Sequence, residues 1–92
     1  MQLITLLENI TYNSLHFAAD CEILGIAYDS RKVQDGFLFV CVKGYKTDGH
    51  LYVQEALQNG AAAVMCEDYI EIYPHISIVQ VENTRAALPI LA

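Results

Sequence analysis

YDSRKVQDGFLFVCVKGYKTDGH, residues 28–50, holds the strongest structural signals in the chain. Phe37-Leu38-Phe39-Val40-Cys41-Val42 is an unbroken apolar run of strand length, rich in aromatic and β-branched residues, so it reads as a buried strand. Asp29-Ser30-Arg31-Lys32 forms a polar turn before it, closed by Asp35-Gly36, and Lys43 to Gly49 forms a glycine-bounded loop after it. A buried strand with a polar loop at each end is a common support for ligand-binding side chains. Charge marks the same two loops. Arg31, Lys32, Lys43 and Lys46 are four of the five basic residues in a chain of net charge −6.

Working outward, Asp48 is a good N-cap for a helix over 49–59, with Val53, Ala56 and Leu57 as its buried stripe and Tyr52 at the edge. Asn59-Gly60 ends it, and 61–66 (AAAVMC) is a second buried strand. Strand, helix and strand within about thirty residues make a βαβ unit, with parallel strands and a right-handed crossover. Upstream, Leu3, Leu6, Leu7 and Ile10 predict a short amphipathic helix over 2–9, and 22–28 reads as a strand bulged at Gly25. Leu15-His16-Phe17 fits a short strand in an otherwise ambiguous segment. Downstream, 67–74 is an acidic loop with room for one helical turn, 76–81 is a strand, and Asn83 caps a last helix. Pro89, at its sixth position, predicts a frayed or kinked end. The expected fold is one α/β domain: a small sheet of four to five strands, a βαβ crossover and flanking helices.

Composition sets the outer limits. Ninety-two residues, 54% hydrophobic and 17% charged, suit one globular domain with a modest core. The acidic balance (pI about 4.7) argues against nucleic acid, and the local basic patch suits a small anion such as a nucleotide diphosphate. No apolar run approaches the roughly 20 residues that span a bilayer, and the first residues carry no charged leader, so neither membrane insertion nor secretion is expected. Cys21, Cys41 and Cys66 form no CxxC pair and read as reduced core thiols of a cytosolic protein. His16, His50 and His75 lie too far apart for a zinc site, so no metal is expected.

Two short patterns bear on chemistry. Gly44-x-x-x-x-Gly49 has the glycine spacing of a P-loop, but His50 and Leu51 stand where Lys and Ser/Thr are required, so this is not an ATP site. A helix N-terminus with free N–H groups still favours an anion, and an ordinary capped turn is the competing reading. Asp29-Ser30-Arg31 likewise has two readings. One is an Asx turn with a surface ion pair; the other is a hydroxyl and a guanidinium presented to a ligand. No His and carboxylate arrangement supports Ser30 as a nucleophile, so no catalytic residue is assigned.

Tyr28-Asp29-Ser30-Arg31-Lys32-Val33, Gly36, Leu38-Phe39-Val40, Lys43-Gly44, Asp48-Gly49-His50, Ala56 and Gly60-Ala61 together resemble the N-terminal domain of the Mur ligases. These ATP-dependent enzymes of peptidoglycan synthesis extend a peptide on UDP-N-acetylmuramic acid. The likeness is greatest to the member that adds the third residue, to UDP-N-acetylmuramoyl-L-alanyl-D-glutamate. It implies a domain, residues 1–92, that binds the UDP end of the substrate through Tyr28, Ser30, Tyr45, Lys46 and Thr47, with Arg31 and His50 as further candidates. It also implies that the ATP loop, with its ATP and Mg²⁺, and the amino-acid-binding domain lie outside this sequence. The chain then reads as a fragment, inactive alone, with no cofactor of its own, cytoplasmic and monomeric. The alternatives are the family member that adds D-alanyl-D-alanine to the UDP-tripeptide, or a stand-alone non-catalytic α/β binding module.

Overall fold

The computed structural model describes residues 1–91. In chain order the elements are α1 (Leu3–Leu7), β1 (Ser14–His16), β2 (Gly25–Ala27), β3 (Phe37–Val40), α2 (Val53–Gln58), β4 (Ala63–Cys66), β5 (Ser77–Gln80) and α3 (Thr84–Leu91). Short 3₁₀ turns at Ser30–Lys32 and Gly49–Tyr52 link β2 to β3 and lead into α2. Five strands form one sheet in the order β1-β5-β4-β3-β2. β2 to β5 are parallel neighbours, and β1 runs antiparallel against β5. The expected βαβ unit is β3-α2-β4.

The strand order explains the layers. From β2 to β5 each strand is laid down on the same side of the last, so crossovers of one hand all fall on one face. That face carries α2, Val33 from the β2–β3 connection, and Ile70, Tyr73 and Ile76 from the β4–β5 connection, packed on Phe39, Cys41, Val64, Cys66 and Ile78. The opposite face, built from Leu38, Val40, Ala63, Met65 and Val79, is covered by Leu3, Leu6 and Leu7 of α1 and by Ala87 and Leu91 of α3. Adjacent residues of β3 and β4 thus serve two cores, which is why these strands read as continuous apolar runs rather than as alternation. The result is a three-layer α/β domain.

Several expected boundaries move for physical reasons. α1 is only five residues long and is held from outside: the Asp20 carboxylate accepts from the Ile4 N–H at 3.0 Å, and the Cys21 carbonyl accepts from Leu3 at 2.9 Å. Gly25 is not a bulge. It opens β2 opposite Phe37, whose ring lies within 2.5 Å of where a Cβ would be, so any larger residue would have to displace that ring. The helix expected over 49–59 is a 3₁₀ turn followed by six α-helical residues, and Gly60 (φ 109°) ends it with a backbone that L side chains avoid. The 67–74 segment contains no helix; a turn from Tyr73 to Ile76 (3.0 Å) leads into β5.

Asn83 caps α3 through its side chain, which accepts from the Ala86 N–H at 3.1 Å. Glu67 adds a second cap: its Oε2 accepts from both the N–H and the hydroxyl of Thr84, each at 2.9 Å. Where a frayed or kinked end was expected at Pro89, the helix runs on through that residue to Leu91. Proline there forfeits the bond to the Arg85 carbonyl and its ring crowds that turn, a cost offset by Leu91 beyond it, which is anchored in the core. All three cysteines are free thiols, Cys41 and Cys66 buried and Cys21 half-buried. Among the described residues no helix is long and apolar enough to cross a membrane.

Candidate functional site

The carboxyl ends of β2 and β3 open into a cleft of about 910 Å³. Tyr28, Asp29, Ser30 and Arg31 line it after β2, and Val42, Gly44, Thr47 and Gly49 after β3, with Tyr52 and Glu55 completing the wall on the α2 side. Arg85, Leu88 and Pro89 of α3 close it from the other face. The edge of an open parallel sheet beyond its carboxyl ends is where ligands of such folds bind. The two loops singled out by their charge therefore do meet at one place.

Asp29-Ser30-Arg31 owes its shape to local bonds. Asp29 accepts from the Arg31 N–H at 3.0 Å, an Asx turn, and takes a two-pronged ion pair from the same guanidinium at 3.1 and 2.9 Å. The side-chain bonds from Arg31, and then its backbone N–H, pull the Asp29 carboxyl down to about 2. Ser30 is only 6% exposed and is pinned to α2 at two points. Its hydroxyl donates to Glu55 Oε1 at 2.5 Å, and its carbonyl accepts from Asn59 Nδ2 at 2.9 Å. Glu55 and Asn59 are four residues apart, so they share one face of the helix.

The second loop is a closed turn. Lys43 and Asp48 bridge as antiparallel neighbours, and the Gly44 N–H donates to the Thr47 carbonyl at 2.7 Å. Thr47 faces the cleft, whereas Tyr45 stands wholly exposed at the tip and neither it nor Lys46 lines the cavity. Lys43 is held by Asp68 at 2.9 Å, and with Arg31 also paired, half of the basic cluster is already neutralised. The N–H groups of the 3₁₀ turn ahead of α2 are not free for an anion. Gly49 donates to Val42, Leu51 to the Asp48 carbonyl, and His50 to Asp48 Oδ1. With no lysine after Gly49 and these donors spent, the loop does not fit an ATP phosphate chain.

His50 lies outside the cleft. Its side chain is 8% exposed, and Nε2 accepts from the N–H groups of Glu67 and Asp68 at 3.0 and 3.1 Å. The ring hydrogen must then sit on Nδ1, facing Asp48 Oδ1 at 2.6 Å. The imidazole is a tie between the start of α2 and the end of β4. Asp48, His50 and Asp68 lie close enough to suggest a metal cluster, but both ring nitrogens are engaged in these bonds.

Tyr28, Ser30, Arg31 and Thr47 are thus brought together, Tyr45 and Lys46 project beside them, and His50 serves the fold. Glu55, Asn59 and Arg85 escaped the sequence reading. Arg85 was legible only as the fifth basic residue; its guanidinium reaches back to the Lys43 carbonyl at 3.2 Å, across 42 residues.

A family profile described as "Mur ligase family, catalytic domain" matches residues 22–92. The chain belongs to the Mur ligase family. Over its whole length it is 42% identical to the UDP-N-acetylmuramoyl-L-alanyl-D-glutamate--2,6-diaminopimelate ligase of Syntrophomonas wolfei, covering 19% of that relative. The ligase of the same name from Caldanaerobacter subterraneus is likewise 42% identical over 92 residues, with 19% of it covered. Among solved Mur ligases, MurF from Acinetobacter baumannii superposes with a TM-score of 0.78 at 26% identity, over 95% of this chain and 19% of that one. MurF from Thermotoga maritima, in complex with ADP, gives 0.66 at 35% identity over 75% of this chain and 16% of its own. The chain spans about a fifth of the length of the Mur ligases it matches.

Proposed function

We propose that residues 1–92 are the substrate-holding N-terminal domain of a cytoplasmic ATP-dependent ligase that adds the third peptide residue to UDP-N-acetylmuramoyl-L-alanyl-D-glutamate. In this reading the chain binds the UDP end, while ATP, Mg²⁺ and the incoming amino acid bind elsewhere in the enzyme. The observation that carries it is the cleft itself: in a Mur ligase, the Tyr28–Arg31 turn and the loop ending in Thr47 meet over a cavity of nucleotide size. The arrangement supports binding and orientation; the proposal gives the chain no catalytic group. Tyr28, Ser30 and Thr47 contact the nucleotide from the walls, and Tyr45 and Lys46 reach it from the rim.

The ligase that adds D-alanyl-D-alanine is the second reading, favoured by the likeness of fold to the MurF structures. The higher identity to the diaminopimelate ligases supports the first. Titration calorimetry on the full-length protein tests both. The UDP-dipeptide is expected to bind more tightly than the UDP-tripeptide, and the reverse order selects the second reading. Ser30→Ala is expected to weaken UDP-substrate binding by about two- to twelvefold, one hydrogen bond's worth. Lys46→Ala should cost affinity that fades as salt rises, and Glu71→Lys, in the 67–76 loop, should change nothing. Unchanged affinity in both Ser30→Ala and Lys46→Ala would put the nucleotide elsewhere.

A further inference from the structure

The bond between Ser30 and Glu55 sets the hydrogen-bonding sense of one wall of the cleft. An ionised carboxylate only accepts, so the Ser30 hydroxyl hydrogen points at Glu55 Oε1, and 2.5 Å is the short separation of a charge-assisted O–H···O⁻ bond. The hydroxyl is thereby committed. Asn59, holding the Ser30 carbonyl, keeps the residue against α2 and stops the side chain from turning away. What remains for a ligand is the lone pairs on Ser30 Oγ and, beside them, Glu55 Oε2, which makes no hydrogen bond among the described residues. Both residues line the cavity. The wall at this point is made of acceptors and carries a negative charge.

We infer that Ser30 and Glu55 act as one acceptor pair that reads hydrogen-bond donors on the nucleoside part of the ligand, with Glu55 as a specificity residue that fixes the sense of Ser30. A phosphate offers acceptors and negative charge, so it is disfavoured at the acceptor pair itself; Arg31, which lines the same cleft within electrostatic reach of Glu55, is already paired with Asp29. The donors a uridine nucleotide can present are the ribose 2′- and 3′-hydroxyls and the base N3–H. A carboxylate facing ribose hydroxyls is a familiar means of recognising a nucleoside. The inference rests on the nucleotide reading proposed above and deepens it by orienting the ligand.

The test uses UDP and three analogues, each lacking one donor: 2′-deoxy-UDP, 3′-deoxy-UDP and N3-methyl-UDP. Their affinities are measured by calorimetry on the full-length protein, in the wild type and in Glu55→Ala and Glu55→Gln. In the wild type at least one analogue is expected to bind about ten- to hundredfold more weakly than UDP, the range for a hydrogen bond to a charged group. In Glu55→Ala that ratio should collapse to within about threefold, while the ratio of UDP to uridine affinity, which reports the phosphates, stays unchanged. Glu55→Gln retains the shape without the charge and should give an intermediate ratio. A merely structural role would weaken all four ligands together and leave every ratio as in the wild type, and that result overturns the inference. So does equal binding of UDP and all three analogues by the wild type. Absence of any saturable UDP binding by the wild type removes the nucleotide reading, and the inference falls with it.

Discussion

Replacing His50 by phenylalanine keeps a flat ring of similar size in the same place and removes both nitrogens. Three contacts disappear: the acceptor for the Glu67 N–H, the acceptor for the Asp68 N–H, and the donor to Asp48. The Asp68 N–H is exposed and turns to water at little cost. The Glu67 N–H is partly buried, and a donor stranded in such a place costs about 1–3 kcal/mol. The lost bond to Asp48 adds about 1 kcal/mol, since that carboxylate keeps the His50-position backbone N–H and some solvent. The variant should therefore lose about 2–4 kcal/mol, and a domain of this size then melts at least about 8 °C lower. The assay is thermal unfolding followed by circular dichroism, paired with UDP-substrate affinity measured well below the melting point. Affinity should be unaltered, because the ring lies off the cleft. A melting temperature within about 2 °C of wild type would mean that the His50 ring does not tie these segments together. A selective loss of affinity at unchanged stability would make His50 a ligand contact instead.

Asp29 supplies a pH test. Its folded-state value of about 2 lies below the ordinary 3.8, so the turn is stabilised by the ionised form. That contribution is complete above pH 4 and fades as pH falls from about 4 through 2. Carboxyl NMR should show Asp29 titrating near 2 in the native protein, and Arg31→Gln should return it towards about 3.9. The thiols supply another test. Burial pushes the Cys41 thiol well up and the Cys66 thiol to about 11; partial burial and then the neighbouring Asp20 charge raise Cys21, which is only half-buried. A thiol reagent at pH 8 should leave Cys41 and Cys66 unmodified until denaturant is added, with Cys21 reacting first.

The main architecture was legible because its signals are local. Phe37–Val40 and Ala63–Cys66 are apolar on both faces, and the segment between them has a capped start, a helical stripe and a glycine stop. The edges were less legible. β1 is three residues that pair with β5 some sixty positions away, and Ser77 is buried by accepting from the Ala18 N–H at 3.0 Å across 59 residues. No short-range pattern announces such a partner. The split of the 49–59 segment into a 3₁₀ turn and a short helix also follows from packing: Gly49 is held at 2.9 Å to the Val42 carbonyl, which ties the first turn to the strand end.

Ser30 shows where the division falls. The order of Asp29, Ser30 and Arg31 determined the turn, the ion pair and their place at the end of a strand, because each of those bonds spans two residues. The motif spacing likewise marked the family and the two loops around one strand. Only the tertiary structure brought Glu55 and Asn59, 25 and 29 residues onward, to hold the hydroxyl and the carbonyl of Ser30, and brought Arg85 from the last helix to the same cleft. It also withdrew His50, though the sequence sets it one residue past the loop glycine, into a tie with Glu67 and Asp68. Bonds between neighbours depend on local backbone angles that residue types favour; bonds across the chain depend on how the sheet and helices pack, which no short stretch encodes.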